Sequence, residues 1–205
     1  MRFEGKMSSG IFNLYTGYHN RRSNRLCGYD YSQPGSYFIT ICVHDRTENM
    51  FGNVVNGATV LNEVGEYAKK AWLDMPEHYP DVKLDEFMVM PNHLHGIIRI
   101  CNLVGVQHVE PLQKREPRLN QYQHVIPHSI GTIVRGMKSA VTKWFRQKYP
   151  GTILWQRDYY DHVIRDENSL YYIRKYIRNN PLSWMEDSEN HIDHEIEEFK
   201  IKRNA

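Results

Sequence analysis

Apolar and polar residues alternate between two periods along this chain. The run SYFITICVH at 36–44 is β-branched and aromatic and follows the turn signal Gln33-Pro34-Gly35, which predicts a strand. Residues 53–58 read as a turn and 59–61 as a short strand. From Asn62 the spacing becomes helical: Val64, Tyr67, Ala68, Ala71, Trp72 and Met75 predict a helix over 63–79, capped by Asn62 and closed by Pro80. Two apolar runs, 83–90 and 93–101, meet at Pro91-Asn92 and predict an antiparallel pair at the middle of a sheet. Residues 102–127 are polar, proline-bearing and aperiodic, as in a long loop or insertion. Ile130, Ile133, Val134, Met137, Val141 and Phe145 then mark a helix over 129–149. A short strand is expected at 154–156, and a last helix over 167–180 that ends at Pro181. The order strand, helix, strand, strand, helix, strand, helix predicts an α+β fold, a ferredoxin-like antiparallel sheet with helices packed on it.

Composition adds boundaries to this picture. The chain has 205 residues, enough for one domain with a core, and 14 tyrosines. No apolar run approaches the ~20 residues of a membrane span, and the first 25 residues are polar and basic, so a cytoplasmic location is expected. Three scattered cysteines (Cys27, Cys42, Cys101) lack the spacing of a thiolate metal site. The net charge of +2 conceals an acidic tail, 185–205, in which seven acids face three bases, leaving the body at +6. A basic arm (1–28), a globular domain (29–184) and an acidic tail (185–205) are therefore expected. A moderately basic body suits a polyanionic partner.

Two places carry chemistry. In His93-Leu94-His95 the imidazoles alternate onto one strand face, about 6.5 Å apart at the backbone, where they can converge on a cation while Leu94 points into the core. Such pairs also occur as ordinary half-buried, hydrogen-bonded histidines. Further on, Tyr176 and Asn180 are i and i+4 on the last helix, one above the other. Leu170, Ile173 and Ile177 would dock that helix, leaving Tyr176 at the edge of the buried stripe. A core-edge aromatic and a C-capping asparagine are the plain alternatives. Arg135, Lys138 and Lys143 on the long helix, and Arg157 after Trp155, are candidate phosphate contacts, each with an alternative as a solvated surface charge. His191, His194 and Glu195 in the tail fit an exposed charged helix better than a metal site.

The string MPNHLHG at 90–96, followed about 80 residues later by YIRNNP at 176–181, resembles the HUH-type single-tyrosine transposases, the insertion-sequence-200-like family, and most closely the REP-associated tyrosine transposases. GYDYSQPGSYFITIC (28–42), DEFMVMPNHLHGII (85–98), IVRGMKSAVT (133–142) and WQRDYYDHVIRDE (155–167) extend the match, in the family's order, over nearly all of 28–184. The resemblance implies that His93 and His95 bind a metal, that Asn180 supplies a third, amide ligand, and that Tyr176 is the nucleophile. A ligand set without carboxylate leaves the cation its full charge for a scissile phosphate, with Mg²⁺ or Mn²⁺ as the expected cofactor. The implied activity is metal-dependent cutting and rejoining of single-stranded DNA near hairpins through a 5′-phosphotyrosine, by a monomer or homodimer. A phenol with an ordinary pKa of about 10 needs help to lose its proton, and the sequence names no base. Two other readings stay open: a relaxase-like nickase, with Tyr15 or Tyr18 as nucleophile, and a catalytically inactive palindrome-binding protein. The insertion and the tail fall outside the match.

Overall fold

The structure, a computed structural model, describes residues 26, 28–102 and 126–184. The expected basic arm, insertion loop and acidic tail, including Tyr15, Tyr18 and the histidines of the tail, lie outside the described residues apart from a few marginal positions.

Strand β1 (Gly35–Cys42) occupies the β-branched run after Pro34. Strands β2 (Gly52–Val55) and β3 (Ala58–Leu61) form a hairpin apart from the main sheet. Their two-residue turn is Asn56-Gly57, with φ of 52° and 71°. Asn-Gly suits a type I′ turn, which needs positive φ at both positions. The expected turn over 53–58 was too wide, because Asn53, Val54 and Val55 pair with Val60, Thr59 and Ala58.

Helix α1 (Glu63–Leu73) begins where the Asn62 side chain accepts from the Gly65 N–H at 3.0 Å. The single helix expected over 63–79 is two. A one-turn helix α2 (Met75–His78) follows α1 after Asp74, with Pro76 in its first turn. Proline has no N–H to continue the first helix but tolerates the start of a second. Strands β4 (Val82–Val89) and β5 (His93–Ile100) pair antiparallel about Pro91-Asn92. Helix α3 (Ile130–Lys148), capped by Ser129, buries all six apolar residues read from its spacing.

The segment 154–156 makes only an isolated bridge, Val43 to Trp155. The strand that follows is instead β6 (Tyr160–Ile164), whose polar Asp161 and His162 conceal its alternation. Helix α4 (Glu167–Ser183) does not end at Pro181 but runs through it. The proline removes one N–H, and the last turn still closes through the Trp184 N–H to the Asn180 carbonyl at 3.0 Å.

The main sheet runs β4-β5-β1-β6, every neighbouring pair antiparallel. Of the pair expected at its middle, β5 is central and β4 is an edge. With α1 and α3 as crossovers this is the β-α-β-β-α-β arrangement of a ferredoxin-like domain, as the pattern predicts. One sheet face packs Tyr37, Ile39, Ile41, Leu94 and Ile98 with residues of α1 and α3 into the larger core. The other face joins Phe38, Ile97 and Ile164 to Leu170, Ile173 and Ile177 of α4. That second face positions the candidate site.

Candidate active site

His93 and His95 lie on β5 opposite Cys42 and Thr40 of β1, on the face that α4 covers. Leu94 between them is buried in the opposite core. Both histidines are almost completely buried, 2% and 0% exposed, with ring centroids 4.9 Å apart. Burial pushes the His95 imidazole down to about 3 and holds His93 well below the ordinary histidine value, with His95 and Arg46 adding to the effect. Both rings are thus neutral near pH 7, and a neutral imidazole keeps one lone pair for a ligand.

The turn before β5 fixes how His93 presents that lone pair. Asn92, 1% exposed, donates its Nδ2 to the Arg46 carbonyl at 2.6 Å, which leaves its Oδ1 as an acceptor facing His93 Nδ1 at 2.9 Å. This network assigns the proton to Nδ1 and turns the Nε2 lone pair toward the site. Asn92 is therefore an orienting residue that the sequence reading passed over, although it sits inside the quoted MPNHLHG string. His93 Nε2 and both ring nitrogens of His95 are buried without a hydrogen-bond partner among the described residues. Buried polar atoms left in this way are uncommon and mark a place where a ligand is missing or strain is stored.

Helix α4 brings the other two predicted residues to the same place. The Tyr176 ring lies 5.3 Å from that of His95 and 6.0 Å from Phe38, edge-on in both cases. Asn180 is 6% exposed and donates its Nδ2 to the Tyr176 hydroxyl oxygen at 3.0 Å. It is an interior helical residue with a side-chain partner, not the C-cap considered from sequence. The same chain therefore gathers His93, His95, Tyr176 and Asn180, with Trp184 against His93 at 6.1 Å. No group of three or more His, Cys, Asp or Glu side chains among the described residues is arranged to hold a metal. Any cation here would rely on the two imidazoles and the Asn180 amide oxygen, a donor set that the orphaned nitrogens fit.

The other flank of α4 is tied to β4. Arg174 grips Asp85 through two hydrogen bonds, 2.8 and 2.6 Å, and Arg178 pairs with Glu86. A register irregularity between Leu84 and Phe87 lets consecutive acids serve one helix. Arg178, two residues after Tyr176, is thus committed to Glu86.

The four candidate phosphate contacts share one location. Arg135, Lys138, Lys143 and Arg157, joined by Arg146, line a groove of about 770 Å³ between α3 and residues 152–159. Arg135, Lys143 and Arg157 are exposed. Lys138 differs: its ammonium donates to the carbonyls of Gln156, Arg157 and Asp158 at 2.7, 3.1 and 3.3 Å, and burial lowers its pKa. It fastens the segment leading into β6 and is not a free cation.

No helix among the described residues is long and apolar enough to cross a membrane. No family model matches the chain. A Haemophilus influenzae protein without an assigned function is 46% identical over 171 residues, 83% of this chain and 93% of its own. A second protein from the same organism, named "Putative REP-associated tyrosine transposase", is 25% identical over 75% of this chain and 73% of its own. A solved REP-associated tyrosine transposase, bound to a REP hairpin, superposes with a TM-score of 0.50 at 15% identity, covering 76% of this chain and 71% of that one. The chain therefore belongs to one family with its 46% identical Haemophilus influenzae relative, a transposase-like family related to the REP-associated tyrosine transposases.

Proposed function

We propose that the protein is a metal-dependent single-stranded DNA endonuclease and strand transferase that cuts near hairpins through a 5′-phosphotyrosine on Tyr176. The carrying observation is the convergence, on one sheet face of one chain, of three buried imidazole nitrogens without a partner among the described residues, a tyrosine ring and an amide bonded to its hydroxyl. Partnerless nitrogens are unfavourable in an inert core, whereas a site that takes a cation has a use for them.

Magnesium or manganese held by His93, His95 and the Asn180 amide oxygen would supply Lewis-acid polarisation of the scissile phosphate. The Tyr176 oxygen attacks phosphorus in line with the departing 3′ oxygen. One P–O bond forms as the other breaks; the phenol proton leaves and the 3′ oxygen gains one. The Asn180 Nδ2–H already points at the phenol oxygen, which bears the charge once its proton is gone. Asn92 keeps His93 in the tautomer that offers Nε2. Because the new bond preserves the phosphodiester energy, a second 3′-hydroxyl can reverse the step and join strands without ATP. A phosphate beside Tyr176 is approached by an open strand, and the exposed cations of the α3 groove give a flanking duplex or hairpin its electrostatic grip.

The test is incubation of labelled hairpin DNA bearing single-stranded flanks with the protein and Mn²⁺. A protein–DNA adduct that survives denaturation is expected, absent in EDTA and absent for Tyr176→Phe. An adduct formed equally by Tyr176→Phe would move the nucleophile elsewhere. No adduct from the unaltered protein would leave the DNA-binding reading.

A further inference from the structure

Helix α4 carries two more tyrosines that the fold does not use. Tyr171 and Tyr172 are each 61% exposed, their rings 5.5 Å apart at 73°. The docking stripe of the helix is Leu170, Ile173 and Ile177, so neither ring contributes to the core. Tyr172 stands four residues before Tyr176, which stands four before Asn180. On a helix these three form one row, with adjacent members about 5–6 Å apart at Cβ. The row begins in solvent at Tyr172, reaches the half-buried Tyr176 and ends at the buried Asn180. Tyr172 is thus the outward continuation of the candidate site. The ring of Tyr171, nearly perpendicular to it, props it edge-on.

The charge nearby suits one kind of occupant. Ion pairs of α4 among the described residues use Arg174 and Arg178 on the opposite flank. Lys175, three residues after Tyr172, is exposed and has no carboxylate partner among the described residues. Across from this row, β6 pairs His162 with Phe38 and Tyr160 with Thr40, which puts both on the α4 face of the sheet's edge strand. An exposed aromatic face with a free ammonium beside it matches a nucleotide, whose base stacks and whose phosphate is anionic. A protein partner would want a continuous apolar patch. The next exposed apolar side chain on α4, Leu182, is ten residues on, about 15 Å along the axis.

We propose that Tyr172, with Lys175 beside it, is a stacking platform for a nucleobase of the single-stranded DNA that flanks the phosphate presented to Tyr176. The assignment rests on the DNA-processing reading for its choice of ligand. It goes further in naming a contact to the base, which sets the strand's path past the site.

The test measures binding without cleavage. In a Tyr176→Phe background, affinity is measured for dT12 and for a twelve-unit strand of abasic sites with the same number of phosphates. Stacking of one base corresponds to about a 5- to 150-fold change in affinity. Tyr172→Ala should weaken dT12 by an amount in that range and leave the abasic strand unchanged, while Tyr172→Phe retains dT12 binding. Equal loss on both strands, no loss on either, or no dT12 binding by the parent overturns the proposal. A thermal melt of each variant separates misfolding from lost stacking, since the side chain is exposed. Failure of adduct formation with hairpin DNA would sink the cleavage reading and leave a positive stacking result standing, so the two claims fall separately.

Discussion

The partnerless nitrogens of His95 make a prediction that runs against ordinary mutational experience. His95 is 0% exposed, and neither ring nitrogen has a hydrogen-bond partner among the described residues. A neutral imidazole has one donor and one acceptor. Leaving each unmet in the interior costs about 1–3 kcal/mol, so the low end for the pair is about 2 kcal/mol. Leucine has similar bulk and no polar atom, and imperfect shape returns up to about 1 kcal/mol. In EDTA, His95→Leu should therefore be more stable than the parent by about 1–2 kcal/mol, a rise in Tm of about 2–8 °C for a chain of this size. Manganese should act the other way. At a hundred times its Kd it adds about 2.7 kcal/mol to the parent and nothing to the variant, which also forms no DNA adduct. Thermal melts with EDTA and with Mn²⁺ test both halves. A variant that melts below the parent in EDTA, or a Mn²⁺ shift equal in both proteins, would refute the account of a site whose stability is sacrificed for a ligand.

Gly96 lies beside His95 on the opposite sheet face, where an added Cβ would stand 2.5 Å from Phe87 Cβ and 2.7 Å from the Trp72 ring. Gly96→Ala should lower the urea midpoint by an amount equivalent to about 1–3 kcal/mol, without a change in slope. Lys138→Met removes an ammonium shared by three carbonyls and should destabilise by about 2 kcal/mol. Arg135→Ala should leave stability within about 0.5 kcal/mol and reduce the salt dependence of DNA binding by about one counterion. Asp85 has its pKa lowered, chiefly by its hydrogen bond from Arg174, so its contribution is present above its ordinary value of 3.8 and is lost as pH falls through the lower folded value. Asp85→Asn should accordingly speed hydrogen exchange in α4 at pH 7 and make little difference once the native carboxyl is protonated.

The features readable from sequence are those whose period is local. The six apolar positions of α3 and the three of α4 repeat at helical spacing, and each is buried as that spacing requires. The alternation of His93, Leu94 and His95 was equally plain. The misreadings come from features that tertiary context decides. Tyr160 to Ile164 carries polar residues at strand positions, so β6 was missed and a strand was expected in the more apolar segment before it. Pro181 reads as a stop, yet α4 continues because the bond beyond it, from Trp184 to Asn180, is still available. Lys138 looks like its neighbours in sequence; only the fold shows three carbonyls turned toward its ammonium.

What no period could show is why a helix near the end of the chain lies over a histidine pair 80 residues earlier. Burial of Leu170, Ile173 and Ile177 fixes which stripe of α4 meets the sheet, but an apolar stripe alone permits sliding and rotation over Phe38 and Ile97. The register irregularity at Asp85-Glu86 supplies the missing constraint. Two acids on the edge strand engage Arg174 and Arg178, one turn apart on the flank away from Tyr176. A bidentate arginine–carboxylate pair has direction as well as strength, so it sets the rotation of the helix in a way that apolar contact cannot. With that flank anchored, Tyr176 and Asn180 are turned toward the histidines. The consequence is a division of labour within one helix: its apolar residues hold it down, its arginines aim it, and Tyr176 is brought against His95.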